Sequence, residues 1–342
     1  MSPRVVTEGS PAHGQPLVDW RNLDPKDLPV KKSTRLALLL PPVAIVGVFA
    51  VTLATTATVN AVATRAEAAE ITPYGERVPV GDRSMNVVIN GDHAETIVLL
   101  PGLGTAAPGL DFAPLIDQLD DTYRVVAVEP FGTGLSDQTD EPRTAANIAR
   151  EVHTALEYLG VDRYALMGHS ISGIYALTYV EAYRDEVTAF VGIDSSVPDQ
   201  PGGDEPIATD SLALLDTLGV TRALRAFTPD PYEGLPYGAN EREQMRLLTN
   251  ANSAAPTVLD EMTHASTNVA DASGRRFPAD LPVLLFVREA DDDVEGWVDL
   301  HRAQAASVDR GEVVLMAGEH YLHHTLSREI AQDTRRFLEA SR

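Results

Sequence analysis

The chain has 342 residues, 44% hydrophobic and 23% charged, which is enough for one large domain with appendages and a sizeable core. A formal net charge of −23 argues against nucleic-acid binding, because a phosphate backbone requires clustered Lys and Arg. Cysteine is absent and lysine occurs only at Lys26, Lys31 and Lys32, which removes disulfides, thiolate metal sites, a Cys nucleophile and a Ser-Lys dyad from consideration.

Residues 1–35 are rich in proline and polar residues, lack apolar periodicity and read as a disordered tail. From Leu36 to Thr64 no residue is charged, and the run LALLLPPVAIVGVFAVTLA approaches the roughly 20 apolar residues that a bilayer span needs. The tail carries six basic residues against four acidic ones, so the positive-inside bias puts the N-terminus in the cytoplasm and the acidic bulk outside. Residues 36–63 are therefore expected to form a single transmembrane anchor in the cell membrane. The alternative is a cleaved signal peptide and a secreted chain, since Ala61-Val62-Ala63 has the small-x-small form of a cleavage site. Residues 64–79 read as a linker.

From residue 80 onward, strand and helix patterns alternate. Asn86 to Ile89, Thr96 to Leu100, Arg124 to Val128, Tyr164 to Met167, Ala189 to Ile193 and Val283 to Val287 are β-rich, and Thr144 to Leu159 and Ile171 to Tyr183 are helical. This order predicts an α/β domain over 80–342 with a mainly parallel sheet and helices on both faces. Residues 198–280 break the rhythm with many Pro and Gly and short helical stretches at Ser211 to Leu218 and Glu241 to Thr249, as a cap insertion would. Within this stretch Leu212, Leu214, Leu215, Leu218, Leu224, Phe227, Tyr232, Leu235, Tyr237, Met245, Leu247 and Leu248 either line an apolar cleft or pack the cap onto the sheet.

The stretch YALMGHSISG joins a strand to a helix through a tight turn, the setting of a nucleophile elbow. Such a turn needs small residues two before and two after the nucleophile. Gly168 and Ser172 satisfy this around Ser170, whereas Ser172 as nucleophile would have the helix already begun; Ser170 is therefore the expected attacking residue. A hydroxyl needs a base and an orienting acid, which follow the serine in chain order in this setting. VLLFVREADDD ends a strand in acids, and VVLMAGEHYLHH places His320 at a turn before the closing helix Arg328 to Glu339. His320, His323 and His324 lack the HExxH spacing of a zinc site, and no cofactor or metal is expected.

The motifs LLPGLGTAAPGLDFAPL, VVAVEPFGTGLSD, LMGHSISG, FVGIDSSVP and GEHYLHH occur in an order that resembles the α/β-hydrolases, among them largely uncharacterised bacterial proteins with an N-terminal membrane segment. Pro101, Glu129, Ser172 and Arg288 depart from the usual residues at their positions without removing a catalytic group. The resemblance implies an oxyanion hole from the backbone N–H groups of Leu103 and Ile171, and a triad acid at Asp291 in the READ segment. Asp194, at the end of the strand in GIDSS, is the alternative acid. The expected function is a serine hydrolase that cleaves an ester, lactone or small amide of a small-molecule acyl substrate through a Ser-His-Asp triad and an acyl-enzyme. A noncatalytic binding protein of the same fold, an aminopeptidase, a C–C hydrolase and a cofactor-free haloperoxidase are the alternatives.

Overall fold

The computed structural model describes residues 32–290 and 294–341. The expected tail lies outside the described residues up to residue 31, and so does Asp291. The chain divides into two units, Met1–Thr52 and Leu53–Arg342. The described part of the first unit is the start of α1 (Lys32–Glu67), whose side chains from Ile45 to Thr52 are exposed. Within α1, Ile45–Glu67 is long and apolar enough to cross a membrane.

In the second unit, eight strands among the described residues form one sheet in the order β1-β2-β4-β3-β5-β6-β7-β8. They are β1 (Glu76–Val80), β2 (Arg83–Asn90), β3 (Thr96–Leu100), β4 (Arg124–Glu129), β5 (Tyr164–His169), β6 (Val187–Ile193), β7 (Val283–Arg288) and β8 (Gly311–Met316). The β1–β2 and β2–β4 pairs are antiparallel and the rest parallel. Because β1 pairs into the sheet, it draws in residues that the sequence reading gave to the linker.

The central parallel strands β3 and β5 are fully buried and β4, β6 and β7 nearly so, as expected for strands covered on both faces, while β8 at the sheet edge stays largely open. Successive residues face opposite layers. Val98 and Leu100 of β3 join α4 (Ala145–Tyr158), α5 (Ser172–Tyr183) and α10 (Trp297–Ala305), while Ile97 and Leu99 join α3 (Ala113–Leu119) and α12 (Ser327–Glu339). The short helices α2 (Pro108–Asp111) and α11 (Leu322–Thr325) lie in the loops after β3 and β8.

Between β6 and β7 lie α6 (Thr209–Thr217), α7 (Val220–Arg225), α8 (Ala239–Asn252) and α9 (Pro256–Asp271). The cap is thus more helical than its sequence suggests. The reading missed α9, although Pro256 at its first turn followed by Val258, Glu261, Ala265 and Val269 on the buried side is a legible start and stripe. Tyr237, Met245, Leu247 and Leu248 are buried, but Leu212, Leu214, Leu215, Leu224 and Phe227 face solvent. No residue of α6 or α7 is fully buried.

Candidate active site

β5 delivers its chain into the turn at Ser170, whose φ of 54° lies in the left-handed region that side-chain-bearing residues avoid. The turn survives because both sides are tied: Ser170 N–H donates to Ile193 O at 3.3 Å, and Ser170 O accepts from Gly173 N–H at 3.0 Å and Ser196 N–H at 2.8 Å. A Cβ on Gly168 would lie 3.0 Å from Ser172 Cβ, so the strand and helix ends do nearly touch. Ser172 is buried and its hydroxyl donates to Pro101 O. The displaced glycine has its own cause, since a Cβ on Gly173 would meet Ser196 O at 2.2 Å. The same loop geometry brings the backbone of Gly102 against the turn, where a Cβ would stand 3.0 Å from Ser170 Cβ.

His320, in the loop after β8, reaches Ser170 with Nε2 2.9 Å from Oγ. Its Nδ1–H donates to Asp194 Oδ2 at 2.7 Å. This is the carboxylate that the sequence reading ranked second. Asp194 follows directly on β6 with φ 41°, fully buried, and its Oδ1 accepts from Trp297 Nε1–H at 2.8 Å and Arg288 N–H at 3.1 Å. Arg288 Nε also lies 3.1 Å from Oδ2. Burial raises the Asp194 carboxyl, but the hydrogen bonds from His320 and Trp297 and the neighbouring charge outweigh it and leave it below the ordinary carboxylate value. Asp194 is thus an anion, and an anion facing Nδ1 fixes that nitrogen as the donor and Nε2 as the acceptor.

A second carboxylate–imidazole group lies behind the first. Asp111 accepts from His323 Nε2–H at 2.7 Å and His324 Nε2–H at 2.9 Å. Burial raises its carboxyl and these two donors pull it well below the ordinary range, while burial pushes His323 down. These three side chains could offer a metal one carboxylate and two imidazole ligands within 4.8 Å of one another, but the same atoms are already engaged with each other. His169 sits between the two groups, its ring centroid 4.6 Å from that of His320 and 4.9 Å from that of His323, and donates through Nε2 to His320 O at 3.1 Å. Burial, then the two neighbouring imidazoles, hold His169 neutral.

Glu129, at the end of β4, is a buried hub rather than part of this group. It accepts from Tyr74 Oη–H at 2.6 Å, Leu135 N–H at 2.8 Å, Asn86 Nδ2–H at 2.9 Å and Gly109 N–H at 3.0 Å. It thereby ties the loop after β3 to the loop after β4. A cavity of about 680 Å³ opens in the cap among Arg222, Arg225, Tyr232, Arg242 and Arg246. Neither Ser170 nor His320 lines it, so the hydroxyl–imidazole–carboxylate geometry locates the candidate site and the cavity does not.

The strand order and the strand–turn–helix around Ser170 agree with a family model for the alpha/beta hydrolase fold that matches residues 95–235. The chain has the α/β-hydrolase fold. The enol-lactonase of Burkholderia xenovorans LB400 superposes on 77% of this chain and 100% of its own, with TM-score 0.57 and 19% identity. A membrane phospholipase A described as a bacterial virulence factor covers 91% of this chain and 99% of its own, with TM-score 0.56 and 19% identity. YbdG of Bacillus subtilis, an uncharacterised protein, is 23% identical over 271 residues, 75% of this chain and 83% of its own.

Proposed function

We propose that the protein is a membrane-anchored serine hydrolase that cleaves an ester, lactone or small amide through Ser170, His320 and Asp194. The observation that carries this reading is the continuous line Ser170 Oγ–His320 Nε2 at 2.9 Å and His320 Nδ1–Asp194 Oδ2 at 2.7 Å. His320 Nε2 takes the Ser170 proton as Oγ attacks the carbonyl carbon, and Asp194 stabilises the imidazolium that forms. The carbonyl oxygen becomes an oxyanion and is met by the backbone N–H groups of Leu103 and Ile171. The imidazolium returns the proton to the leaving alcohol or amine, and water attacks the Ser170 acyl ester by the same route. Asp194 replaces Asp291 as the acid in this reading because it already occupies the nitrogen that an orienting carboxylate needs.

The half-exposed His320 and partly exposed Ser170 leave the reacting atoms open to a substrate. The enol-lactonase and the phospholipase A have an acyl–oxygen bond as target by name, which is consistent with this class. Ile45–Glu67 supplies the anchor, with the catalytic unit outside the cytoplasm. The test is labelling of the full chain in membranes with a fluorophosphonate probe. Wild type is expected to label, and Ser170→Ala to lose both labelling and ester hydrolysis. Unchanged hydrolysis in Ser170→Ala would overturn the reading.

A further inference from the structure

The turn between α6 and α7 packs on α1 inside the segment that is apolar enough to cross a membrane. Asn60 Nδ2–H donates to Asp216 O at 2.9 Å, and Arg222 donates to Asn60 Oδ1 at 2.7 Å, Thr64 Oγ1 at 2.8 Å and Glu67 at 2.7 Å. Gly219, with φ 71°, permits the approach: a Cβ there would meet Thr56 O at 2.4 Å. Thr56 precedes Glu67 by three helical turns, roughly 16 Å along the axis at 1.5 Å per residue. Two short helices are therefore clamped beside the C-terminal half of the apolar segment Ile45–Glu67, from its middle residue Thr56 to its end.

On their other sides these helices are apolar and uncovered. Phe227 is 90% exposed, Leu224 62% and Leu214 59%, with Leu212 and Leu215 also exposed. Monomeric proteins seldom leave such a group of large apolar side chains in water. The rest of the chain is strongly acidic, but residues 209–228 carry two acids, Asp210 and Asp216, and two bases, Arg222 and Arg225, so this patch is not repelled by an anionic lipid surface.

We infer that α6, α7 and Phe227 form a bilayer-embedded surface, which holds the cap in the outer leaflet beside α1. This rests on the reading of α1 as a retained membrane anchor. The partner is lipid acyl chain, because the patch is fixed to the one helix of the described chain that suits a bilayer, whereas a soluble partner would have to reach it at membrane level.

The absence of cysteine makes single-site labelling direct. Full-length chain would be labelled with a bimane maleimide at Phe227→Cys or Leu214→Cys, at Val51→Cys in α1, and at Tyr158→Cys, exposed on α4, and placed in phosphatidylcholine–phosphatidylglycerol vesicles. Brominated lipid is expected to quench the probes at 227, 214 and 51, and aqueous iodide to quench the one at 158. Quenching by brominated lipid at 51 but iodide quenching at 227 and 214 would overturn the proposal and leave the anchor standing. Iodide quenching at 51 as well would remove both. Protection at 227 from iodide and from brominated lipid alike would mean that a second copy covers the patch, and would also overturn it.

Discussion

Asp194 with His320 and Asp111 with His323 are the same pair chemically: a buried aspartate held below its ordinary pKa, accepting from an imidazole at 2.7 Å. They differ in what the far side of the imidazole meets. His320 turns Nε2 to a hydroxyl 2.9 Å away on a turn open to solvent, whereas His323 is wholly buried and its Nδ1 finds no hydrogen-bond partner among the described residues. An Asp–His pair is therefore not by itself a catalytic device. The nucleophile, the acceptor nitrogen and access convert one pair into candidate machinery, and their lack leaves the other as a buried tie between α2 and α11.

The contrast is broken most completely by removing what distinguishes the two pairs. Ser170→Ala should reduce kcat for a p-nitrophenyl ester by about 10⁴-fold or more while the melting temperature stays near wild type. An equal loss of kcat in a well-folded Ser172→Ala would move the nucleophile. Asp194→Asn should lower kcat by roughly 10⁴-fold. Its Oδ1 can still accept from Trp297 and Arg288, but the amide NH₂ would face His320 Nδ1 and drive the proton to Nε2, which then cannot accept from Ser170. Asp291→Asn, measured alongside, is expected to change kcat far less.

Asp111→Asn sharpens the comparison from the other side. It should cost roughly 2–4 kcal/mol of stability in denaturant unfolding, since both imidazole N–H groups lose a charged acceptor and one of them is left with none in a buried place, with kcat within about tenfold of wild type. A fall in kcat as large as that of Asp194→Asn in a folded variant would show that the second pair acts on the first.

Acid pH should weaken both pairs in the same direction. Each carboxyl has a folded pKa below its unfolded value, so each contributes stability that is complete above the unfolded value near ~3.9 and is lost as pH falls through the lower folded value. Melting temperature against pH should therefore drop below about pH 4 in wild type and drop less steeply in Asp111→Asn or Asp194→Asn. A parallel slope in all three would assign the acid arm to other groups. The smallest effect is expected of Ser172→Ala, about 1 kcal/mol of stability from the hydrogen bond to Pro101 O with most activity retained.

The parallel sheet was legible because Thr96 to Leu100, Tyr164 to Met167 and Val283 to Val287 are β-rich runs at α/β spacing, and the elbow because Gly168, Ser170 and Ser172 sit on a strand-to-helix junction whose steric demand is local. His320 was legible for the same reason, as a histidine in the turn after the last strand. The choice between Asp194 and Asp291 was not local. It depends on β6 and β7 lying side by side with Ile193 opposite Phe286, which sets Asp194 where Arg288 N–H and Trp297 Nε1–H, 94 and 103 residues further along the chain, satisfy one oxygen and leave the other for His320. Likewise the sequence marks Leu214, Leu224 and Phe227 as apolar but gives no direction to them. Only the clamp of Arg222 and Gly219 on α1 turns α6 and α7 so that their apolar side chains point away from the fold, because a side chain's surroundings are made by partners that the chain brings back from far away.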